Sequence, residues 1–190
     1  MDHNAPAERT LTVDSSIGKL GISVTGAGLR RVRLPRVTST GLSRQPGGPA
    51  AGASPAAGVP DGGQLPGCAA DAIEQLTEYL NGSRNEFELP LDLSGIEPGM
   101  RTVLDELRVA APYGKVITYG ELAQRSGCAG GARAVGQIMA RNPLPLVIGC
   151  HRVVAVGDLG GYGGGLALKR WLLRLEGALT EQLSLLGDEP

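Results

Sequence analysis

Apolar and polar residues alternate along residues 10–14 (TLTVD), 18–24 (GKLGISV) and 29–34 (LRRVRL), with a Ser-Ile-Gly turn between the first two. A period of two lays one face of a strand on a core and the other in solvent, so these stretches predict a three-stranded antiparallel meander. The pattern then stops. Residues 38–67 are nearly all Gly, Pro, Ala, Ser and Thr. Such a segment cannot bury enough apolar surface to offset its ordering entropy, and it reads as a flexible, solvated insert. Helical spacing begins at residues 69–80, where Ile73, Leu76 and Leu80 share a face and Asn81-Gly82 supplies a stop. Residues 87–93 (FELPLDL) predict a further strand, at a sheet edge because Pro90 has no N–H for a ladder. A boundary falls at residues 94–98.

The second half has a helical period. Residues 100–111 carry Val103, Leu104, Leu107 and Val109 to Ala111 on or near one face. Residues 119–126 predict a short helix capped by Thr118, with Glu121 at capping-box spacing. A turn over 127–131 leads to a second helix over 132–141, and two short helices about a glycine-containing turn form a helix-turn-helix signature. Asn142-Pro143 ends that helix. Residues 144–148 form a buried apolar segment running into Cys150, and the amphipathic residues 168–175 (LKRWLLRL) close the domain.

Composition narrows what these elements can do. The chain has 190 residues, a net charge of −1 and only 3% aromatics, so Leu, Val and Ile fill the core and no whole-molecule field draws in nucleic acid. Any DNA contact must come from a local face, or from small residues that let the backbone approach. The cysteines Cys68, Cys128 and Cys150 are three and widely separated, which argues against a disulfide framework and fits a reducing, cytoplasmic setting. With His3 and His151 the only histidines, no zinc pattern exists, and no metal site is expected. No apolar run reaches membrane-spanning length, and the first residues lack the basic and apolar regions of a signal peptide.

Cys150-His151-Arg152 follows directly on the apolar run. A thiol attacks as thiolate, so it needs a base or a positive charge close by. His151 is adjacent, but neighbouring side chains of an extended segment point apart, and a bridging water would be needed. Taken alone, Cys150 reads more readily as a buried small hydrophobe than as a nucleophile.

The wider pattern reverses that weighting. Pro112-Tyr113-Gly114, Thr118-Tyr119-Gly120-Glu121-Leu122-Ala123 and Arg133-Ala134-Val135-Gly136 are followed by Asn142-Pro143 and Cys150-His151-Arg152-Val153-Val154. Gly161-Tyr162-Gly163-Gly164-Gly165-Leu166, Lys169-Arg170-Trp171-Leu172-Leu173 and Glu176-Gly177 complete the set. In order and spacing, residues 99–178 closely resemble the C-terminal domain of the O6-alkylguanine-DNA alkyltransferases, and Asp14 to Leu20 more loosely resembles their N-terminal domain. The resemblance implies an α+β fold, with a ribonuclease-H-like α/β domain over 8–95, carrying the 38–67 insert. This domain packs on a winged-helix-like, helix-turn-helix domain over 97–178, and a tail follows over 179–190.

The resemblance also implies roles. Cys150 would accept the alkyl group irreversibly, once per molecule and without a cofactor. His151 would act through a water to raise the thiolate fraction, with Glu176 orienting it. Tyr119 would donate to the departing purine. The lesion would be flipped out of double-stranded DNA bound through its minor groove without sequence preference. Arg133 would fill the vacated place in the stack, and Ala134 and Gly136 would let the helix lie close. Asn142 would be a hinge tying the recognition helix to the active-site segment. Tyr162 and Gly163 would form a loop over the base pocket, roomy enough for bulkier alkyl groups, with Lys169 near the pocket edge. A monomer is expected.

The pattern also breaks. Gly149 stands where the family ordinarily has proline, freeing the backbone before Cys150 and predicting slower reaction rather than loss. Gly99-Met100 and Asp105 stand where family members carry Phe and Trp, which removes aromatic bulk between the domains. Cys128 reads as structural. Together these leave a second reading: a diverged copy that binds alkylated DNA or a small alkylated molecule without efficient repair.

Overall fold

The computed structural model describes residues 8–36, 42 and 67–179. The expectations for the insert (apart from Leu42 and Gly67) and for the tail beyond residue 179 therefore lie outside the described residues. The meander forms as the alternation predicts: β1 (Arg9–Ser15), β2 (Gly18–Thr25) and β3 (Gly28–Arg33) pair antiparallel in chain order. Leu11 faces Ile22 and Ile22 faces Val32 across the ladders, so one face carries a continuous apolar stripe. Helix α1 (Gly67–Leu80) covers it with Ala69, Ala72, Ile73, Leu76, Tyr79 and Leu80. Hydrogen bonds from Gly82 N to Tyr79 O (3.0 Å) and from Ser83 N to Glu78 O (2.9 Å) close its C-terminus.

Residues 87–93 do not form the expected strand. They make one isolated parallel bridge, Leu29 with Leu91, held by Leu29 N to Pro90 O (2.8 Å) and Asp92 N to Leu29 O (2.9 Å). Pro90 cannot donate, and the crossing depends on Gly28, where a Cβ would lie 2.1 Å from Pro90 O. The segment is anchored by a side chain instead. Asp92 accepts from Thr25 Oγ1 (2.7 Å), Arg30 Nη1 (2.9 Å) and Ser94 N (3.0 Å).

The second half opens with α2 (Pro98–Ala110), which starts on a proline suited to a first turn and buries Met100, Val103, Leu104 and Leu107. Strand β4 (Ile117–Thr118) leads into α3 (Tyr119–Arg125), whose capping box is complete: Glu121 N donates to Thr118 Oγ1 (3.1 Å) and Thr118 N donates to Glu121 Oε2 (2.9 Å). Helix α4 (Gly131–Arg141) follows the turn, β5 (Val153–Val154) pairs parallel with β4, and α5 (Leu166–Leu175) packs against the turn at Cys150–Arg152. One hydrophobic cluster runs from Leu20 and Ile22 through Leu76 and Leu104 to Ile148 and Leu172, so the two halves share a core. Val32 N also donates to Pro143 O (2.8 Å), tying β3 to the turn before the cysteine segment. Among the described residues no helix is long and apolar enough to cross a membrane.

Candidate active site

Cys150 is delivered by a strained, buried approach. Leu144, Leu146 and Ile148 are fully buried, and Leu146 holds a φ of 77°, a conformation that costs an L-residue about 1–2 kcal/mol. The Asn142 side chain ties this approach together, donating Nδ2 to Ile148 O (2.8 Å) and accepting from Leu144 N (3.0 Å) on Oδ1. The structure thus places Asn142 between the end of α4 and the cysteine segment. Cys150-His151-Arg152 is not extended, as the apolar run suggested, but is one turn of 3₁₀ helix. That turn sends the three side chains different ways: Cys150 into a cavity of about 770 Å³, His151 and Arg152 into the protein.

His151, Arg152 and Glu176 form a buried network around one carboxylate. His151 Nε2 lies 2.8 Å from Glu176 Oε1. Arg152 donates from Nε to Oε2 (2.9 Å) and from Nη2 to Oε1 (2.9 Å), and from Nη1 to Ala111 O (3.0 Å). Burial pushes the Glu176 carboxyl up, but the bonds and charges from His151 and Arg152 outweigh it and hold the pKa at about 2. An ionised carboxylate only accepts, so Nε2 of His151 carries the hydrogen and Nδ1 the lone pair. Nδ1 has no hydrogen-bond partner among the described residues. Burial, with the charges of Arg152 and Lys169, lowers the His151 pKa despite Glu176, so the ring is neutral at neutral pH.

Burial also raises the Cys150 thiol above its ordinary pKa, opposed by the Asn142 amide and the charges of Lys169 and Arg152. The resting group is a thiol that must lose its proton to react. Lys169 is not at the pocket edge, as its position in the motif suggested. It is fully buried on α5, donating to the carbonyls of Val153 (2.7 Å), Leu159 and Gly161 (3.3 Å). It clamps β5 to the loop over the cavity from beneath, and burial lowers its pKa to about 8.

The cavity lies between the helix-turn-helix and that loop. Tyr119, Arg133 and Gly136 line it from α3 and α4, and Tyr162 and Gly163 from the loop. Tyr119 donates its hydroxyl to Gly161 O at 3.3 Å, and its ring packs where a Cβ on Gly160 would come within 2.8 Å. Burial raises its pKa, so the phenol keeps its proton. The Tyr162 hydroxyl is buried with no partner among the described residues. Arg133 is exposed, whereas Ala134 turns back toward Gly130 and does not line the cavity.

Gly149 has a role that its sequence position did not announce. A Cβ there would lie 2.7–2.8 Å from Nε, Cδ and Cζ of Arg152, so the arginine folds over the glycine to reach Glu176. Its φ of −52° suits proline, but the space does not. Arg152 was legible only as a motif letter, and Tyr79, whose hydroxyl donates to Glu176 Oε1 (2.5 Å), gave no signal beyond an apolar helix face. Ala155, Val156, Met139 and Ala140 complete the cavity wall, and only their small or apolar character hinted at it. Among the described residues no group of three or more His, Cys, Asp or Glu side chains converges to hold a metal ion.

Known proteins share this sequence and fold. Residues 99–178 match the family model described as 6-O-methylguanine DNA methyltransferase, DNA binding domain. A methylated-DNA–protein-cysteine methyltransferase of Mycobacterium tuberculosis is 38% identical over 166 residues, 87% of this chain and 90% of the relative. The Homo sapiens protein of the same name is 36% identical over 187 residues, 93% and 84% of the two chains. The solved structure of Mycobacterium tuberculosis OGT in complex with DNA superposes with a TM-score of 0.66 at 36% identity, covering 88% of this chain and 91% of that one. With so much of both chains shared, this protein belongs to the methylated-DNA–protein-cysteine methyltransferase family.

Proposed function

We propose that this protein repairs double-stranded DNA by moving an alkyl group from guanine O6 to Cys150, once and irreversibly. The observation that carries the reading is a buried thiol opening on a cavity of about 770 Å³, next in the chain to a histidine whose Nε2 is held by Glu176 and whose Nδ1 has no partner among the described residues. The lesion nucleotide is flipped out of the stack into the cavity, and Arg133, exposed at the start of α4, fills the gap. Small residues on α4 let that helix approach the minor groove, so binding does not depend on sequence. A water relays the thiol proton to His151 Nδ1. The thiolate then attacks the carbon on O6, the new C–S bond forms as the C–O bond breaks, and the guanine anion leaves. The protonated Tyr119 hydroxyl donates to the purine as that charge develops. Asn142 holds the cysteine segment on α4, and Tyr162 and Gly163 form the cavity's cover. The thioether is a poor leaving group, so the protein acts stoichiometrically and needs no cofactor. Residues 97–178 carry this chemistry and 8–95 support it. A reduced acceptor thiol supports a cytoplasmic setting, and a site built wholly from one copy of the chain supports a monomer.

Retention of Cys150 with His151 and Glu176 favours transfer over binding alone. Cells lacking their own alkyltransferase and expressing this protein are expected to survive methylating agents, and those expressing Cys150→Ser are not. Equal protection by the serine protein would overturn the reading.

A further inference from the structure

Helix α1 belongs to the first half of the chain, yet its last turn reaches the Glu176 carboxylate. Tyr79 is fully buried, its ring 5.2 Å from that of Phe87 and 6.2 Å, edge-on, from that of Tyr113. Its hydroxyl donates to Glu176 Oε1 at 2.5 Å and lies 3.3 Å from His151 Nε2. The same carboxylate oxygen accepts from Tyr79, from His151 and from Arg152 Nη2. An aliphatic or phenylalanine side chain would serve the packing equally well. A hydroxyl here is specific to the carboxylate.

We infer that Tyr79 is a positioning residue for alkyl transfer: its O–H shares the charge of Glu176 and so sets how strongly that carboxylate holds the His151 imidazole. This inference rests on the repair reading above. Without the hydroxyl, more of the charge on Oε1 falls to the His151 Nε2–H bond. The imidazolium is then favoured over the neutral ring, and less His151 is free to take the thiol proton. The charged and titratable groups around the ring come from every neighbouring element: Tyr79 on α1, Arg152 and Cys150 on the 3₁₀ turn, Tyr162 on the loop, Lys169 on α5 and Glu176 after it. Of these, Tyr79 is the one contributed by the first half of the chain.

The test compares the full-length parent with Tyr79→Phe, which keeps the ring and removes the oxygen. The second-order rate of methyl transfer from duplex O6-methylguanine is measured against pH, and His151 is followed by ¹⁵N NMR. The chain has two histidines, so a His3→Ala background leaves a single signal. On the acid side of the inflection the variant's rate is expected to fall about tenfold, the size of a lost hydrogen bond to a charged group. The acid-side inflection of the rate and the His151 titration midpoint are both expected to move to higher pH. An unchanged rate and inflection would overturn the inference, as would a slower variant whose inflection and His151 midpoint stay put, since that is a packing defect. The parent alone must show His151 as the Nε2–H tautomer; the Nδ1–H form overturns the inference even if the variant does not fold. A parent that takes up no methyl group defeats the repair reading instead, so the two failures are distinguishable.

Discussion

Glu176 concentrates more of the account than any other side chain. It accepts from His151, Arg152 and Tyr79 in a fully buried setting, and removing its charge strands a buried guanidinium. Glu176→Gln is therefore expected to cost about 3–5 kcal/mol in denaturant unfolding. The pH dependence has a definite sign. A carboxyl whose folded pKa is about 2, below its ordinary 4.5, contributes stability that is complete above about pH 4.5 and is lost as pH falls toward 2. Acid titration of the melting temperature should show that loss in the parent and less of it in Glu176→Gln. Gly149 supplies a second test at this scale. A proline at this position would fix the backbone before Cys150, but a Cβ there would lie 2.7–2.8 Å from side-chain atoms of Arg152. Gly149→Pro is expected to melt lower and transfer methyl groups more slowly than the parent; a faster proline variant would show that Arg152 moves aside freely.

Secondary structure followed the local chemistry wherever that chemistry was self-sufficient. The three strands, α1, and the Thr118–Glu121 capping box were legible because alternation, helical spacing and cap residues act within a few positions. Residues 87–93 misled because an alternating segment needs a partner ladder, and Pro90 with the tight crossing at Gly28 permits only one bridge. The turn at Cys150 misled for the opposite reason: an apolar run looks extended, but Arg152 N to Gly149 O (2.9 Å) closes a 3₁₀ turn. Thr118→Ala removes the cap at the start of α3 and should cost about 1 kcal/mol. On α4, Arg133→Ala is expected to slow transfer from duplex DNA at least tenfold, the scale of one to a few kcal/mol for lost base-flipping support. The same change should leave the reaction with free O6-benzylguanine unaltered, since the free base needs no flipping. Equal slowing with both substrates would place Arg133 in the chemistry rather than on the DNA.

Across the whole molecule, the halves are joined by a common core, by the Val32–Pro143 backbone bond and by Tyr79 at the carboxylate. The ordered motifs between Pro112 and Glu176 made Cys150 and His151 readable in one dimension as the proposed acceptor and its base. The bond from residue 79 to residue 176 was not readable, because contacts between distant segments leave no local period. Asp105 borders an open groove of about 480 Å³ with Arg108 and Val109. A shared core predicts one cooperative unfolding transition, with tryptophan fluorescence from Trp171 and backbone dichroism coinciding. The most direct check of the central claim is the intact mass of folded protein after incubation with duplex O6-methylguanine, followed by peptide mapping. One methyl group per molecule, carried on Cys150 and never exceeding stoichiometry, is the result predicted here. Folded protein that gains no methyl group, or gains it at another residue, would contradict it.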